Sequence, residues 1–371
     1  MEYVQERIAT LHDFDGTVPA APTDRAAVVV PLTERDHASL AAERVFSRLE
    51  RVDPARVYVA LRAAPGQLRD VVRWVDSFDL EGEVLWCNAP AVESRLDERG
   101  LGGDAGKGRD PGKGRDVWLA LGVAARHDYV VVHDADATTY SVAHVPKLLF
   151  PLANGFQFSK GYYARVENGR LYGRLFRLFV RPLLRALDAE TDHLLVDYLL
   201  AFRYALAGEF AATSEVVRSL RVQPGWGLEI GTLGDAFDAA GFEGSAQVDL
   251  GTHEHDHRAV GGPEGLGDMC AEVGAALFRA LAERGVDLDY DALSAAYRDV
   301  ARATIDQYAA DAAFNGLAYD PSGERDQVDQ YAAAVRAPGE DRRLPAWNDC
   351  ELDPETVREL SNGAIDEATA D

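Results

Sequence analysis

Short apolar runs alternate with amphipathic segments over the first third of the chain. The runs are rich in β-branched residues and predict strands at 26–32, 56–61, 83–87 and 128–136. Segments that repeat apolar positions at helical spacing predict helices near 36–51, 65–78 and 114–126. Strands that alternate with helices predict a parallel sheet with helices on both faces, and such sheets bind ligands beyond the carboxyl ends of their strands.

From about residue 141 the pattern becomes mixed. A short strand at 155–163 and a turn at Glu167–Gly169 are followed by a basic helix that ends near 187. Beyond Pro263 two long amphipathic stretches predict helices, and we expect the acidic segment after Pro354 to fray. The predicted divisions are an N-terminal extension (1–25), an alternating half (26–140), a mixed half (141–262) and a helical C-terminal region with an acidic tail (263–371).

The composition is strongly acidic and excludes some classes of partner. The chain has 38 basic and 62 acidic residues and a net charge of -24. Such a surface repels nucleic acid and anionic membranes, and it is typical of proteins from salt-in halophiles. No apolar run approaches the roughly 18 residues of a membrane span, and the start of the chain lacks a signal-peptide pattern, so we expect a cytoplasmic protein without a membrane partner.

A phrase repeated in the stretch "GKGRDPGKGRD" holds two of the four lysines of the chain, Lys107 and Lys113. Neither lysine is followed by the Ser or Thr that a Walker phosphate loop requires. Two interpretations remain: a solvated linker, or a glycine-rich loop in which a lysine meets a phosphate as a point charge.

Candidate metal ligands lie at the end of the run at 128–136, directly after "YVVVH". Asp134 and Asp136 are spaced so that both carboxylates can share a hard cation, which can also bridge a diphosphate. In the stretch "THEHDH" three histidines alternate, so an extended backbone would point all three the same way and one of them could complete a metal shell: His253, His255 and His257. A polar surface strand with incidental histidines is the alternative.

Three further patterns bear on chemistry. Glu229 stands among glycines and apolar residues in "GWGLEIG", which fits either a tuned catalytic acid or a helix cap. Four arginines at helical spacing indicate an anionic ligand or salt bridges within the protein: Arg174, Arg177, Arg181 and Arg185. The segment "HDFDGTV" imitates the nucleophile motif of haloacid-dehalogenase phosphatases, with Asp13 and Asp15, but no hydrophobic strand is predicted before it. We therefore interpret it as an N-terminal turn.

Taken together, the ordered motifs resemble glucosyl-3-phosphoglycerate synthases, which are retaining glycosyltransferases of the GT-A fold. The resemblance rests on "VVVPLTE", "PGKGRDVW", "VVHDADATTY", "FSKGYYARV", "YGRLFRLFVRPLLRAL", "FRYALAGEFA", "GWGLEIGTL" and "QVDLGTHEHDH". It implies that 26–140 is a Rossmann-like nucleotide-sugar-binding half and that 141–262 binds the acceptor and carries out catalysis. Mannosyl-3-phosphoglycerate synthases share some of these motifs, so mannose transfer stays open.

The resemblance also implies roles for individual residues. The metal, Mg²⁺ or Mn²⁺, would be held by Asp134, Asp136 and His255. Catalytic roles fall to Glu229, near the reacting hydroxyl, and to Asp136. Residues implied in donor binding are Pro31, Glu34, Lys113, Asp134, Ala135, Gly208 and Glu209, and those implied in acceptor binding are Gly173, Arg174, His257 and Arg258.

The implied substrates are a nucleoside diphosphate glucose and 3-phosphoglycerate, and the implied assembly is a homodimer. A related transferase with another donor or acceptor, such as mannose or a relative of glycerate, stays open, and two alternatives from other classes remain beside it. One is a phosphatase that uses Asp13 and Asp15. The other is a non-catalytic sugar-nucleotide binding module, against which the metal carboxylates and Glu229 argue.

Overall fold

The computed structural model of the chain describes residues 5–102, 112–254 and 262–370. Its strands are β1 (Ala9–Leu11), β2 (Ala26–Thr33), β3 (Arg56–Arg62), β4 (Gly82–Trp86), β5 (Tyr129–Val132), β6 (Phe158–Ala164), β7 (Val166–Glu167), β8 (Arg170–Leu171), β9 (Phe210–Thr213) and β10 (Ser245–Thr252). Its helices are α1 (Leu40–Val52), α2 (Leu68–Val75), α3 (Pro90–Glu98), α4 (Lys113–Ala124), α5 (His144–Ala153), α6 (Arg181–Glu190), α7 (Leu194–Ala201), α8 (Ser214–Ser219), α9 (Leu228–Ala239), α10 (Gly262–Ala282), α11 (Tyr290–Phe314), α12 (Pro321–Tyr331) and α13 (Pro354–Thr369).

Within the described residues, eight strands form a single sheet in the order β1-β10-β6-β9-β5-β2-β3-β4. All neighbours pair in parallel except β9, which lies antiparallel between β5 and β6. The α/β fold class predicted from the sequence is confirmed. Because seven strands run the same way, their carboxyl ends and the amino end of β9 meet at one edge of the sheet. We call this the carboxyl edge.

The alternating half of the chain folds as predicted because its apolar runs are the core strands. Val28, Val29 and Val30 in β2 are completely buried, as are Val130 and Val131 in β5. Strands that are covered on both faces need apolar residues at successive positions, and that is the pattern these runs carry. The predicted helices correspond to α1, α2 and α4, with shifts of a few residues at their ends.

The expectation that β structure begins near Ala26 is wrong. Residues Ala9–Leu11 form β1, which pairs in parallel with β10 at the outer end of the sheet. Its central residue, Thr10, is completely buried and accepts a hydrogen bond of 2.9 Å from Gln247. A polar contact between residues so distant in sequence leaves no trace in the hydrophobic pattern.

The expectation of a frayed tail after Pro354 is also wrong, because the segment forms α13. Val357, Ser361 and Ile365 are buried on one side of this helix. The backbone N–H of Trp86, in β4, donates a hydrogen bond of 2.7 Å to Ser361 Oγ. The helix thereby covers the outermost strand at this end of the sheet, and unpaired sheet edges commonly need such cover.

One feature of the helical part bears on membranes. Among the residues that the structure describes, no helix is both long and apolar enough to cross a bilayer.

Candidate active site

The loop after β5 carries the predicted metal carboxylates at the carboxyl edge. Asp134 and Asp136 are partly exposed, whereas Ala135 between them is buried. The Lys113 ammonium forms an ion pair with Asp134 Oδ1. Burial alone would lower the pKa of Lys113, but the negative charges of Asp134, Glu229 and Asp136 outweigh burial and raise that pKa above its ordinary value. Lys113 therefore stays charged and faces a cluster of carboxylates.

Two glycines fix the place of Lys113 at the start of α4. A Cβ on Gly112 would lie 2.4 Å from the carbonyl oxygen of Pro224, and one on Gly114 would lie 1.8 Å from that of Gln223. Only glycine permits such close backbone approach. The second copy of the repeated phrase is thus packed against the chain before Glu229. The first copy, with Lys107, lies outside the described residues.

Glu229 lies in the first turn of α9, at the end of the "GWG" segment. Gly227, the residue that caps this helix, has a φ of 97°, a left-handed conformation that favours glycine. Glu229 is partly buried, and its charge acts on both Lys113 and Lys160. The structure therefore brings Glu229 into the same site as Asp134 and Asp136, as the resemblance implies.

The residues before β9 complete the wall of the site. A Cβ on Gly208 would lie 2.7 Å from Asp134 Oδ2, so the backbone at this position passes directly against the carboxylate. Glu209 is 1% exposed, and its Oε1 lies 3.9 Å from Nε2 of His253. Gly208 and Glu209 thus lie directly beside Asp134, and their role in binding a donor sugar stays a prediction.

Pro31 and Glu34 lie at the carboxyl end of β2. Pro31 pairs with Ala60 of β3 in the register of the sheet. The Glu34 carboxylate accepts a hydrogen bond of 2.5 Å from the backbone N–H of Ala64, and the Glu34 N–H donates to Arg62. These contacts fix the loop that follows β2, and the role of both residues in a nucleotide pocket stays a prediction.

Of the three alternating histidines, His253 is the one that lies within the described residues. His253 is 1% exposed and stacks on Tyr163, with ring centroids 4.1 Å apart. Its neighbour Glu254 accepts hydrogen bonds from the backbone and the hydroxyl of Thr138, in the loop that carries Asp134 and Asp136. His253 is therefore a packed residue, and Glu254 ties the end of β10 to the metal loop.

Three residues of the predicted site lie outside the described residues: His255, His257 and Arg258. Within the described ranges no group of three acidic, His or Cys side chains is arranged to hold a metal ion. The two carboxylates nevertheless fit a cation that also takes phosphate oxygens, because Mg²⁺ is commonly bound by one or two carboxylates plus substrate.

Two of the predicted acceptor residues, Gly173 and Arg174, lie between β8 and α6. Gly173 has a φ of 72°, and the following turns, Leu175–Val180, form a π-helix, a rare conformation that is frequent at functional sites. Arg174 is exposed and has no hydrogen bond or ion pair within the described chain. It is available to bind an anion.

Two of the other arginines of the predicted cluster serve the fold. Arg177 is 6% exposed and forms a two-pronged ion pair with Glu324, with bonds of 2.7 and 3.2 Å. Arg181 donates to the carbonyl oxygen of Leu200. Of the two alternatives that the sequence left open, salt bridging explains Arg177, and Arg174 remains the candidate for an anionic ligand.

The segment that imitates a phosphatase motif forms a turn. Asp13 accepts a hydrogen bond from the backbone N–H of Gly16 and forms an ion pair of 2.7 Å with Lys147. That contact with Lys147, set against the opposing effect of burial, lowers the pKa of Asp13. Asp15 accepts hydrogen bonds from Thr17, two residues later.

Sequence reasoning gave no role to Lys160, which lies in β6. The side chain is 1% exposed, and Nζ donates a hydrogen bond of 2.5 Å to the carbonyl oxygen of Ala207, the residue before Gly208. Burial lowers the pKa of Lys160 to about 8, against the attraction of Glu229 and Glu209. The motif "FSKGYY" contained the only signal, a lysine in an otherwise buried strand.

We expect the Lys160→Met variant to lose about tenfold in kcat without losing stability. The hydrogen bond from Lys160 to the carbonyl oxygen of Ala207 holds the backbone that passes against Asp134. Small displacements of groups in an active site can reduce turnover by this factor. The lowered pKa means that folding disfavours the charged form of Lys160, so the lysine lowers the free energy of unfolding below about pH 8. This cost disappears as the pH rises toward the pKa that Lys160 has in the unfolded chain. The melting temperature of the variant at pH 7 should therefore equal or exceed that of the wild type. A fall in both kcat and melting temperature would instead make Lys160 a structural residue.

Comparisons with known proteins show which proteins the chain resembles over most of its length. No family model matches the chain. A glucosyl-3-phosphoglycerate synthase from Methanococcoides burtonii is 34% identical over 380 residues, covering 94% of this chain and 93% of that protein. One from Persephonella marina is 35% identical over 292 residues, covering 74% of this chain and 71% of that protein.

A solved structure is similar as well. It is the Mycobacterium tuberculosis glucosyl-3-phosphoglycerate synthase in complex with Mn²⁺, UDP-glucose and phosphoglyceric acid. It is 28% identical, with a TM-score of 0.55, over 76% of this chain and 89% of that chain. Similarity in sequence and fold to such enzymes makes this protein a glycosyltransferase of the GT-A fold. More narrowly, the chain belongs to the glucosyl-3-phosphoglycerate synthase family, since the likeness extends over nearly its whole length.

Proposed function

We propose that the carboxyl edge transfers glucose from a nucleoside diphosphate glucose to 3-phosphoglycerate, with retention of the anomeric configuration. The observation that carries this assignment is the cluster of Lys113, Asp134, Asp136 and Glu229 at one edge of the sheet. Family membership supports the substrates, and the complexes of the Mycobacterium tuberculosis relative with Mn²⁺ or with Mg²⁺ support a divalent metal.

In this proposal the donor diphosphate lies between Lys113 and the two aspartates. A divalent ion held by Asp134, Asp136 and His255 would neutralise charge on the departing nucleoside diphosphate. Lys113 adds a fixed positive charge to the same phosphates, and it is already held by Asp134. Pro31 and Glu34 would line the nucleotide pocket at the end of β2, and Ala135 would pack beneath the donor.

The sugar would lie against Gly208 and Glu209, next to Asp134. Glu229 would face the reacting hydroxyl of the acceptor. Its negative charge acts on Lys113 and Lys160 of the same site. Gly173 and Arg174 would bind the acceptor phosphate, for which a guanidinium is well suited. His257 and Arg258 follow the metal segment in sequence and would hold further substrate anions.

We also propose that the protein works in the cytoplasm as a homodimer. Both substrates are charged phosphate esters that do not cross a bilayer unaided, which supports a cytoplasmic site of action. Resemblance to the family supports the dimer, and light scattering on the purified protein tests it directly.

A donor and acceptor panel tests the assignment. Purified protein with Mg²⁺ or Mn²⁺ is supplied with UDP-, GDP- and ADP-glucose and with GDP-mannose, each with 3-phosphoglycerate or glycerate. We expect release of nucleoside diphosphate only with a glucose donor and 3-phosphoglycerate. Turnover with GDP-mannose alone would move the protein to the mannosyl alternative.

We expect Arg174→Ala to raise the KM for 3-phosphoglycerate at least tenfold while the KM for the sugar nucleotide changes little. A charge-assisted contact contributes about 1.5–3 kcal/mol, and roughly 1.4 kcal/mol corresponds to a tenfold change. Arg185→Ala, another exposed arginine of the same stretch, is the matched control and should leave both KM values unchanged. Equal increases for both substrates would show that Arg174 supports the fold or the donor.

A further inference from the structure

Arg62, the last residue of β3, has no role in the scheme above. Its backbone carbonyl accepts the hydrogen bond from the Glu34 N–H, and its side chain extends to the start of α4. There Nη2 donates a hydrogen bond of 3.0 Å to the carbonyl oxygen of Gly112, the residue directly before Lys113. Arg62 therefore joins two segments that contribute to donor binding in the proposed function, the loop after β2 and the start of α4.

Asp116, in the first turn of α4, fixes the same guanidinium. Nε and Nη2 of Arg62 lie 3.1 and 2.8 Å from Asp116 Oδ2, and the two side chains are 21% and 6% exposed. Burial raises the pKa of Asp116 to about 6, although Arg62 opposes that effect, so the carboxylate is mostly ionised above about pH 7. Because charge-assisted hydrogen bonds are stronger than neutral ones, Asp116 keeps the guanidinium in contact with Gly112.

The place of Lys113 depends on the backbone at both of its sides, which belongs to Gly112 and Gly114. Glycine has more conformational freedom than any other residue, so a fixed lysine needs contacts that restrain these two positions. One restraint is their close packing on Gln223 and Pro224. The hydrogen bond from the Arg62 side chain to Gly112 is a second restraint.

We propose that Arg62 is a positioning residue, which acts through Gly112 to hold the Lys113 ammonium at the donor diphosphate. This inference rests on the proposed function. The guanidinium is directed at Asp116 and Gly112, so Arg62 acts on the substrate through Lys113. A charge stabilises a leaving group best when it is already in place, so loss of Arg62 should lower kcat and leave the affinity for the acceptor unchanged.

A double-mutant cycle tests whether Arg62 acts through Lys113. The kcat and both KM values are measured for the wild type, Arg62→Gln, Lys113→Ala and the double variant. We expect Arg62→Gln to lower the kcat of the wild type about tenfold, to change that of Lys113→Ala less than twofold, and to leave the KM for 3-phosphoglycerate unchanged. Tenfold losses in both backgrounds would overturn the proposal. Arg56→Gln, at the opposite end of β3 and paired with Glu81, is the matched control and should leave kcat unchanged.

A further pair of variants separates positioning from folding. Arg62→Gln leaves Asp116 as a buried charge without its partner, which can lower the melting temperature. Combining Arg62→Gln with Asp116→Asn removes both charges, and it should restore the melting temperature but not kcat. Recovery of kcat in this combination would assign the loss to the unpaired carboxylate and overturn the proposal. Arg62→Lys, which keeps a positive charge, should recover part of the kcat.

NMR of the lysines makes the test independent of the reaction. The chain contains four lysines, so carbon-13 at the lysine Cε gives few signals, and the spectrum of Lys113→Ala assigns the signal of Lys113. We expect Arg62→Gln to shift this signal and to leave in place that of Lys147, which pairs with Asp13. An unchanged Lys113 signal would overturn the inference, whether or not glucose is transferred. A wild type that transfers no glucose, with a shifted Lys113 signal in Arg62→Gln, would refute the proposed function and support the positioning of Lys113 by Arg62.

Discussion

The Asp136→Ala variant should lose at least a thousandfold in turnover while its melting temperature stays within a few degrees of the wild type. Asp136 is partly exposed in the loop after β5, and it contributes to the negative charge that surrounds Lys113. The metal ion that Asp136 would hold neutralises charge on the leaving group. Losing this metal ligand should therefore remove several kcal/mol of transition-state stabilisation. Steady-state release of nucleoside diphosphate over a range of Mg²⁺ and Mn²⁺ concentrations measures the effect.

Asp13→Ala is the matched control for this variant. Asp13 is also a partly exposed carboxylate that follows a strand, but it is paired with Lys147 and the backbone of Gly16. It should keep full transferase activity. Near-normal activity of Asp136→Ala in the presence of a chelator would contradict the metal assignment. Loss of activity in Asp13→Ala, together with a phosphatase activity of the wild type, would favour the phosphatase alternative.

We expect the second large effect from the Lys113→Ala variant, whose turnover should be reduced about a hundredfold or more. The lysine is fixed by the packing of Gly112 and Gly114 on Gln223 and Pro224, so its charge is already in place when the diphosphate binds. Removing a preorganised charge from such a site typically costs about a hundredfold to a thousandfold in turnover. The variant also leaves Asp134 without its ion-pair partner.

Lys107→Ala is the matched control, because Lys107 has the same neighbours in sequence but lies in the first copy of the phrase. On the interpretation of the first copy as a solvated linker, the variant should be nearly silent, because an exposed charge contributes little. Deletion of residues 106–111 should likewise leave an active enzyme, because changes in loop length cost little closure entropy. Comparable losses in the two lysine variants would show that both copies act.

The parts of the site that could be predicted follow from a single rule of α/β folds. The apolar run before Asp134 predicts a buried strand, and residues that follow such strands meet at the carboxyl edge. Asp134 and Asp136 could be placed in this way. The link between Lys113 and Asp134 came from the family resemblance, and the ion pair now supplies its physical basis.

Other parts depend on contacts that no local pattern reveals. Arg177 matched the predicted anion cluster, yet it pairs with Glu324, 147 residues further along the chain. Lys160 reads as an ordinary polar residue in a strand until Ala207 is found as its acceptor. The acidic composition of the last segment hid its buried face, because Val357 and Ile365 stand directly beside charged residues, Arg358 and Asp366. In each case the determining partner is distant in sequence.

The most direct test of the account follows the sugar itself. Purified protein is incubated with Mg²⁺, 3-phosphoglycerate and a nucleoside diphosphate α-glucose labelled with carbon-13, and the product is examined by NMR and mass spectrometry. The account predicts one product, with the label in an α-linked glucose on the hydroxyl next to the carboxylate of 3-phosphoglycerate. A β-linked product would contradict retention. If the label appeared only in free glucose, or if the only new phosphorus compound were inorganic phosphate, glucose transfer at this site would be contradicted.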